Sequence, residues 1–140
     1  MNPFSIIGDM KQLLKLFIPL MAISLTSCGS GTSVSESGSS LYANRKMTSS
    51  SITYKCKQDN RDATYSINVS QKQALEIRCD FTVDEGALTL SMKDSDGSVF
   101  FVNIVVETAN FSVPLKDYGK YKIIVHTDDF NGTYQFNWSK

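Results

Sequence analysis

The chain is poor in most of the residues that carry chemistry. Among 140 residues there are one histidine, one tryptophan, three prolines and three cysteines, and 14 basic residues cancel 14 acidic ones. A zero net charge removes the electrostatic case for nucleic acid, which wants a basic stripe. With one histidine and no second cysteine or histidine cluster, a zinc site is not expected. No nucleophile motif accompanies the histidine, so neither a triad nor any cofactor is expected. No apolar run approaches the roughly 20 residues of a membrane-spanning helix. What is present is enough apolar and aromatic residue, 41% and 11%, to bury a core. The length allows one small domain.

Residues 1–27 read as a leader rather than as fold. Lys11 and Lys15 precede a ten-residue apolar run over residues 16–25, which suits a secretory h-region. Residues 1–9 contain Asp9 and no basic residue, so Met10 makes a better start. The run ends in Leu25-Thr26-Ser27-Cys28, which resembles the bacterial lipobox. The resemblance implies diacylglycerol on the Cys28 sulfur, cleavage before Cys28 and acylation of the new amino group. Without lipidation the segment is an ordinary signal peptide with an incidental cysteine. Gly29 and Ser30 follow, without the Asp that resembles an inner-membrane retention signal. The implied location is the cell envelope: the outer membrane of a diderm host, or the outer face of a monoderm's membrane. The membrane is then the first partner, through lipid on Cys28.

Residues 28–50 are expected to be a linker. Residues 29–40, GSGTSVSESGSS, are dominated by Gly and Ser, and a coil of that length spans about 20 Å. The domain is expected over residues 51–140, where the apolar period is two. Ile52-Tyr54-Cys56, Tyr65-Ile67-Val69, Leu75-Ile77-Cys79-Phe81-Val83 and Leu88-Leu90-Met92 alternate with polar residues. Residues 99–106, Phe111-Val113-Leu115, Tyr121-Ile123-Val125 and Tyr134-Phe136-Trp138 follow. This predicts an all-β fold, a single antiparallel sandwich of seven to eight strands.

Three X-Gly pairs read as two-residue hairpin turns. Asn131-Gly132 would set Val125 opposite Trp138. Glu85-Gly86 would set Val83 opposite Leu88 and Phe81 opposite Leu90. Asp96-Gly97 would set Met92 opposite Phe101 and Leu88 opposite Val105. Each register puts both apolar sets on one face, and a one-residue slip would destroy the match. The third hairpin sends Phe100, Val102, Ile104 and Val106 away from that face. The row is then covered from outside, rephased by a bulge, or exposed as a binding patch.

Asp117-Tyr118-Gly119-Lys120-Tyr121 resembles the tyrosine corner of immunoglobulin-like sandwiches, with Tyr121 as the corner residue. The wider pattern over about residues 80–140, Gly-x-Tyr-x-Ile-x-Val followed by Gly-x-Tyr-x-Phe-x-Trp, resembles pre-peptidase C-terminal-like domains of secreted bacterial proteins. These resemblances imply a fold and export, not an activity.

Cys56 and Cys79 share the core parity of their strands. In an oxidising envelope they could form a disulfide closing a loop of about 24 residues, stabilising by roughly 3 kcal/mol. The alternative is two separate buried thiols. Asp94-Ser95-Asp96-Gly97 has the look of half a calcium loop but lacks the distal Glu. His126 falls on an outward position opposite Asn137. Trp138, Tyr134 and Tyr118 could stack on sugar rings, although the first two fall on the core face. The function expected first is a non-catalytic envelope lipoprotein that offers a protein partner its Phe100-Val102-Ile104-Val106 row. The alternative is a cell-surface carbohydrate-binding module. Which large side chains are exposed separates the two.

Overall fold

The computed structural model describes residues 31–140, and the leader and Cys28 lie outside them. Alternate positions along each strand are buried, as the period of two requires. The elements are β1 (Ser33–Ser39), β2 (Tyr42–Met47), β3 (Ser51–Val69), β4 (Glu76–Lys93), β5 (Val99–Val105), β6 (Ala109–Pro114) and β7 (Gly119–Asn137). All pairings are antiparallel. The fold is the expected antiparallel β-sandwich, but it is assembled differently.

Strands β3, β4 and β7 run 19, 18 and 19 residues. Straight, each would extend about 60 Å. Instead each bends near its middle, where the ladders slip between Cys56, Asp59 and Asp62 and between Val83, Glu85 and Ala87. Left-handed residues mark the same places: Gln58 (φ 47), Gly86 (φ 81) and Asp129 (φ 46). The bends fold one hydrogen-bonded sheet over itself. One layer runs β2-β3-β7-β4-β6, and the other runs β1-β3-β7-β4-β5. The long strands belong to both. Tyr65 in one layer reaches Tyr134 in the other, oxygen to oxygen at 2.6 Å, so the two inner faces meet in a single core.

Two of the three expected hairpins are therefore bends. Glu85-Gly86 lies inside β4 and Asn131-Gly132 inside β7. Val83 pairs with Gly132, Phe81 with Tyr134 and Leu90 with Val125. The parity argument still holds, because a strand bent over the core also keeps both halves' apolar sets facing inward. Only Asp96-Gly97 turns a hairpin, with Met92 opposite Phe101 and Leu88 opposite Val105 as expected. The eight apolar runs thus collapse into five strands.

The other two strands come from the expected linker. β1 pairs Ser33 with Ser66 through Ser39 with Asn60, and β2 pairs Tyr42 with Lys57 through Met47 with Ile52. Residues 28–50 are not a tether from Ser33 onward. The Gly and Ser content hides an inward series, in which Thr32 is buried and Val34 packs against the core. Both segments complete the backbone ladder of β3, which would otherwise be an open edge. At Gly38 a Cβ would lie 2.2 Å from the Asn60 carbonyl oxygen, so glycine here is a requirement of the pairing.

Candidate binding surfaces

The open edge between β1 and β2 is closed by a polar network. Asp59, buried at the β3 bend, accepts from the Tyr54 hydroxyl at 2.9 Å and the Thr127 hydroxyl at 2.6 Å. The Arg61 guanidinium stands 3.5 Å from Asp59 and 3.0 Å from Glu36. Arg45 also pairs with Glu36, donates to the Tyr65 hydroxyl at 3.2 Å and lies over the Tyr54 ring. The hydrogen bond from Arg45 holds the Glu36 carboxyl below its ordinary value. Burial pushes the Tyr54, Tyr65 and Tyr134 phenols up. Each charge here is spent on another side chain of the network, which ties β1 and β2 to the β3 bend.

Cys56 and Cys79 are both free and buried, so the expected disulfide is not formed. The topology explains why. Cys56 pairs with Gly132 and Cys79 with Phe136, on opposite sides of β7. Two strand spacings and four residues of offset separate them by about 16 Å, against roughly 7 Å for a bridge. Burial pushes both thiols up to about 12, which makes them poor nucleophiles. His126 is exposed and bonds Asp62 at 2.6 Å. Its strand neighbours are Asp62 and Thr89, not Asn137.

At one end of the sandwich two connections stand side by side. In the β4–β5 turn, the Asp94 carboxylate accepts from the Asp96 and Ser98 amides at 3.0 Å each. That is turn chemistry, and it accounts for the calcium-like spacing. In the β6–β7 connection the Tyr121 hydroxyl donates to the Asp117 carbonyl at 2.5 Å, which is the tyrosine corner. Phe100 meets the Tyr121 ring edge-on at 5.7 Å. Between these turns lies a cleft of about 330 Å³, lined by Asp94, Asp96, Asp117 and Lys116 and by the rings of Phe100 and Tyr118. Tyr118 and Phe100 are 41% and 39% exposed. Trp138 and Tyr134 are buried as the alternation of the strand required, which leaves Tyr118 as the one stacking candidate from the sequence that is open. Phe100 and the acids of the cleft were not foreseen as one group, because only the side-by-side turns join them.

A larger basin of about 700 Å³ adjoins the cleft through Asp94, Ser95, Lys120 and Tyr121. It is basic where the cleft is acidic, with Lys93, Lys120 and Lys122 beside Ser33, Ser66 and Asn68. Beyond it, β5 forms the layer's edge. Val102, Ile104 and Val106 are 61%, 65% and 63% exposed. The ladder slip between Met92 and Lys93 does not rephase the row, since Val102 still opposes Ser91 and Ile104 opposes Thr89. Of the three outcomes left open by the sequence, the row is exposed among the described residues.

Neither a family model nor a curated protein matches the chain. Solved structures do. A family 6 carbohydrate-binding module matches at 12% identity and TM-score 0.46, covering 79% of this chain and 95% of that one. A family 29 carbohydrate-binding module matches at 10% identity and TM-score 0.43, covering 77% and 79%. The enzymatically active domain of bacteriophage CBA120 tailspike protein 4 matches at 9% identity and TM-score 0.41, covering 76% of this chain and 18% of that one. The likeness is one of fold.

Proposed function

We propose that this is a non-catalytic, lipid-anchored protein of the bacterial envelope whose sandwich binds a glycan in the cleft between the 94–98 and 115–119 turns. The observation that carries the reading is the cleft itself. Two exposed rings, Phe100 and Tyr118, share a concave site with Asp94, Asp96, Asp117 and Lys116. A pyranose offers an apolar C–H face and a rim of hydroxyls. Aromatic rings cover the first, while carboxylates accept from the second and an ammonium donates to it. A concave site with a few convergent polar groups is where small ligands are held. The protein partner that the sequence puts first rests on the exposure of a flat row. The glycan reading has exposure, concavity and matched chemistry together. The anchor is supported by the lipobox residues ending at Cys28.

A glycan array probed with the purified protein tests the ligand. We expect a defined glycan to bind, with at least tenfold loss in Tyr118→Ala and Asp117→Asn at unchanged melting temperature. An empty array, or binding indifferent to both changes, rejects it. The anchor is tested separately by labelling cells with a clickable palmitate analogue. Wild type should take up label and Cys28→Ala should not.

A further inference from the structure

We infer that the outer face of the β1-β3-β7-β4-β5 layer lies flat on an anionic membrane surface, with Val102 and Ile104 in the interfacial zone and Lys93, Lys120 and Lys122 on lipid phosphates. This orientation rests on the lipid-anchor reading above and goes beyond it, since an anchor alone does not say which face meets the bilayer.

Three observations converge on this face. First, its lysines are gathered with a single acid, Asp94, at the rim of the basin and no ion pair to hold them. Lys93 stands directly opposite Lys122 across the β4–β7 ladder, and Lys120 lies opposite Asn68 on β3. Like charges placed opposite one another repel. Among the described residues none of the three has an acidic partner within ion-pair distance. Ser33, Ser66 and Asn68 add hydrogen-bonding groups around them. The surroundings suit a phosphate or another oxyanion.

Second, the apolar row continues the same face. Val102, Ser91 and Ile124 lie in one line across β5, β4 and β7, and Ile104, Thr89 and His126 lie in the next. The exposed aliphatic side chains thus stand at the edge of the surface whose end carries the lysines. The other layer looks different. Its outward positions include Lys55, Thr53, Gln135, Asp80 and Arg78, with no aliphatic row. Apolar side chains beside lysines are the composition of an interfacial membrane surface, where burial of apolar area and attraction to anionic headgroups add.

Third, the chain arrives on this face. Gly31 lines the lysine basin, and Cys28 is only three residues earlier. At full extension that is about 11 Å of backbone. A free tether would have let the domain face any direction. With residues 33–39 built into β1, lipid on Cys28 holds the basin within one headgroup layer of the bilayer. Each lysine near an anionic leaflet then gains from the surface potential.

The test uses the full chain, processed in a bacterial host, purified in detergent and reconstituted into vesicles. An environment-sensitive fluorophore is placed at Ile104→Cys or, as control, at Lys55→Cys on the other layer; Cys56 and Cys79 are buried, and the Cys28 sulfur carries the lipid in the processed chain. Quenching by bromine-labelled phospholipid is compared in phosphatidylglycerol-rich and pure phosphatidylcholine vesicles. We expect at least threefold stronger quenching at position 104 than at 55, larger in the anionic vesicles. Lys93→Glu with Lys122→Glu should erase the dependence on lipid charge. Equal quenching at the two positions in vesicles that carry the protein overturns the orientation while leaving the anchor standing. Quenching at 104 that ignores both lipid charge and the lysine changes overturns the phosphate contacts. A label at 104 that is wet on pure lipid but shielded in native envelope assigns the row to a protein partner and overturns the proposal. An N-terminal peptide without acyl mass overturns the anchor and this orientation together.

Discussion

Three X-Gly pairs with the same sequence signature take two different roles. At Asp96-Gly97 the chain turns in the plane of the sheet and begins a new strand. At Glu85-Gly86 and Asn131-Gly132 it stays in the ladder with its old neighbour and bends over the core. The surroundings of the glycines show the difference. A Cβ on Gly97 would meet nothing within 4 Å, whereas on Gly132 it would lie 1.9 Å from the Thr82 carbonyl oxygen and on Gly86 2.2 Å from that of Asp129. A hairpin glycine provides a backbone angle. A bend glycine provides that angle and the room for a neighbouring strand to approach.

The sharpest way to test this contrast is Gly132→Ala, where no flexible side chain can move aside for the new methyl group. Backbone strain and overpacking together should cost about 4 kcal/mol, read as a lowered urea midpoint. A loss under about 1 kcal/mol would mean that the bend is not as close as described. The β3 bend has no glycine and depends on Asp59 instead. Asp59→Ala should cost about 3 kcal/mol, because it strands the buried Tyr54 hydroxyl and takes from Thr127 and Arg61 the carboxylate that joins them. An unchanged midpoint would show that the β3 bend holds without its carboxylate.

Gly97→Ala is the matching change in the hairpin. With φ +82 and open space around it, it should cost about 1 kcal/mol from the backbone angle alone. A cost equal to that of Gly132→Ala would erase the distinction between hairpin and bend. The smallest expected effect is at the sheet edge. Glu36→Gln should lose under about 1 kcal/mol at neutral pH. The Arg45 hydrogen bond lowers the folded-state pKa of Glu36. Its contribution is therefore present above the ordinary carboxylate pKa and fades as pH falls through the lowered one. Wild type and Glu36→Gln should converge in stability in acid, and a gap that persists below that range would contradict the pairing.

The candidate sites divide along the same line. Tyr121, the outward parity of the β5 row and the Asp96-Gly97 hairpin were all legible, because each depends on a local pattern of a few residues; whether the row is covered or exposed was not. The network of Glu36, Arg45, Asp59 and Arg61 was not. Its members lie on three strands, and two of them sit in a segment whose Gly and Ser content reads as linker. The cleft joins residues 94–100 to residues 116–118 through a juxtaposition of turns that no local pattern encodes. The disulfide failed for the same reason: shared parity says which face a thiol is on, not how many strands lie between two of them.

By itself the sequence determined the inward parity of the long strands, though not the burial of Thr32 or Asp59 or the exposure of Leu75. Period-two alternation holds whether a strand ends in a hairpin or bends, since either path keeps alternate residues on the core face. Only the tertiary structure decided how many strands there are, which X-Gly pairs bend, and that residues 33–47 join the sheet. Those outcomes depend on backbone hydrogen bonds to distant strands. An edge such as that of β3 can recruit an extended segment of low hydrophobicity, provided its backbone can approach, as Gly38 allows here.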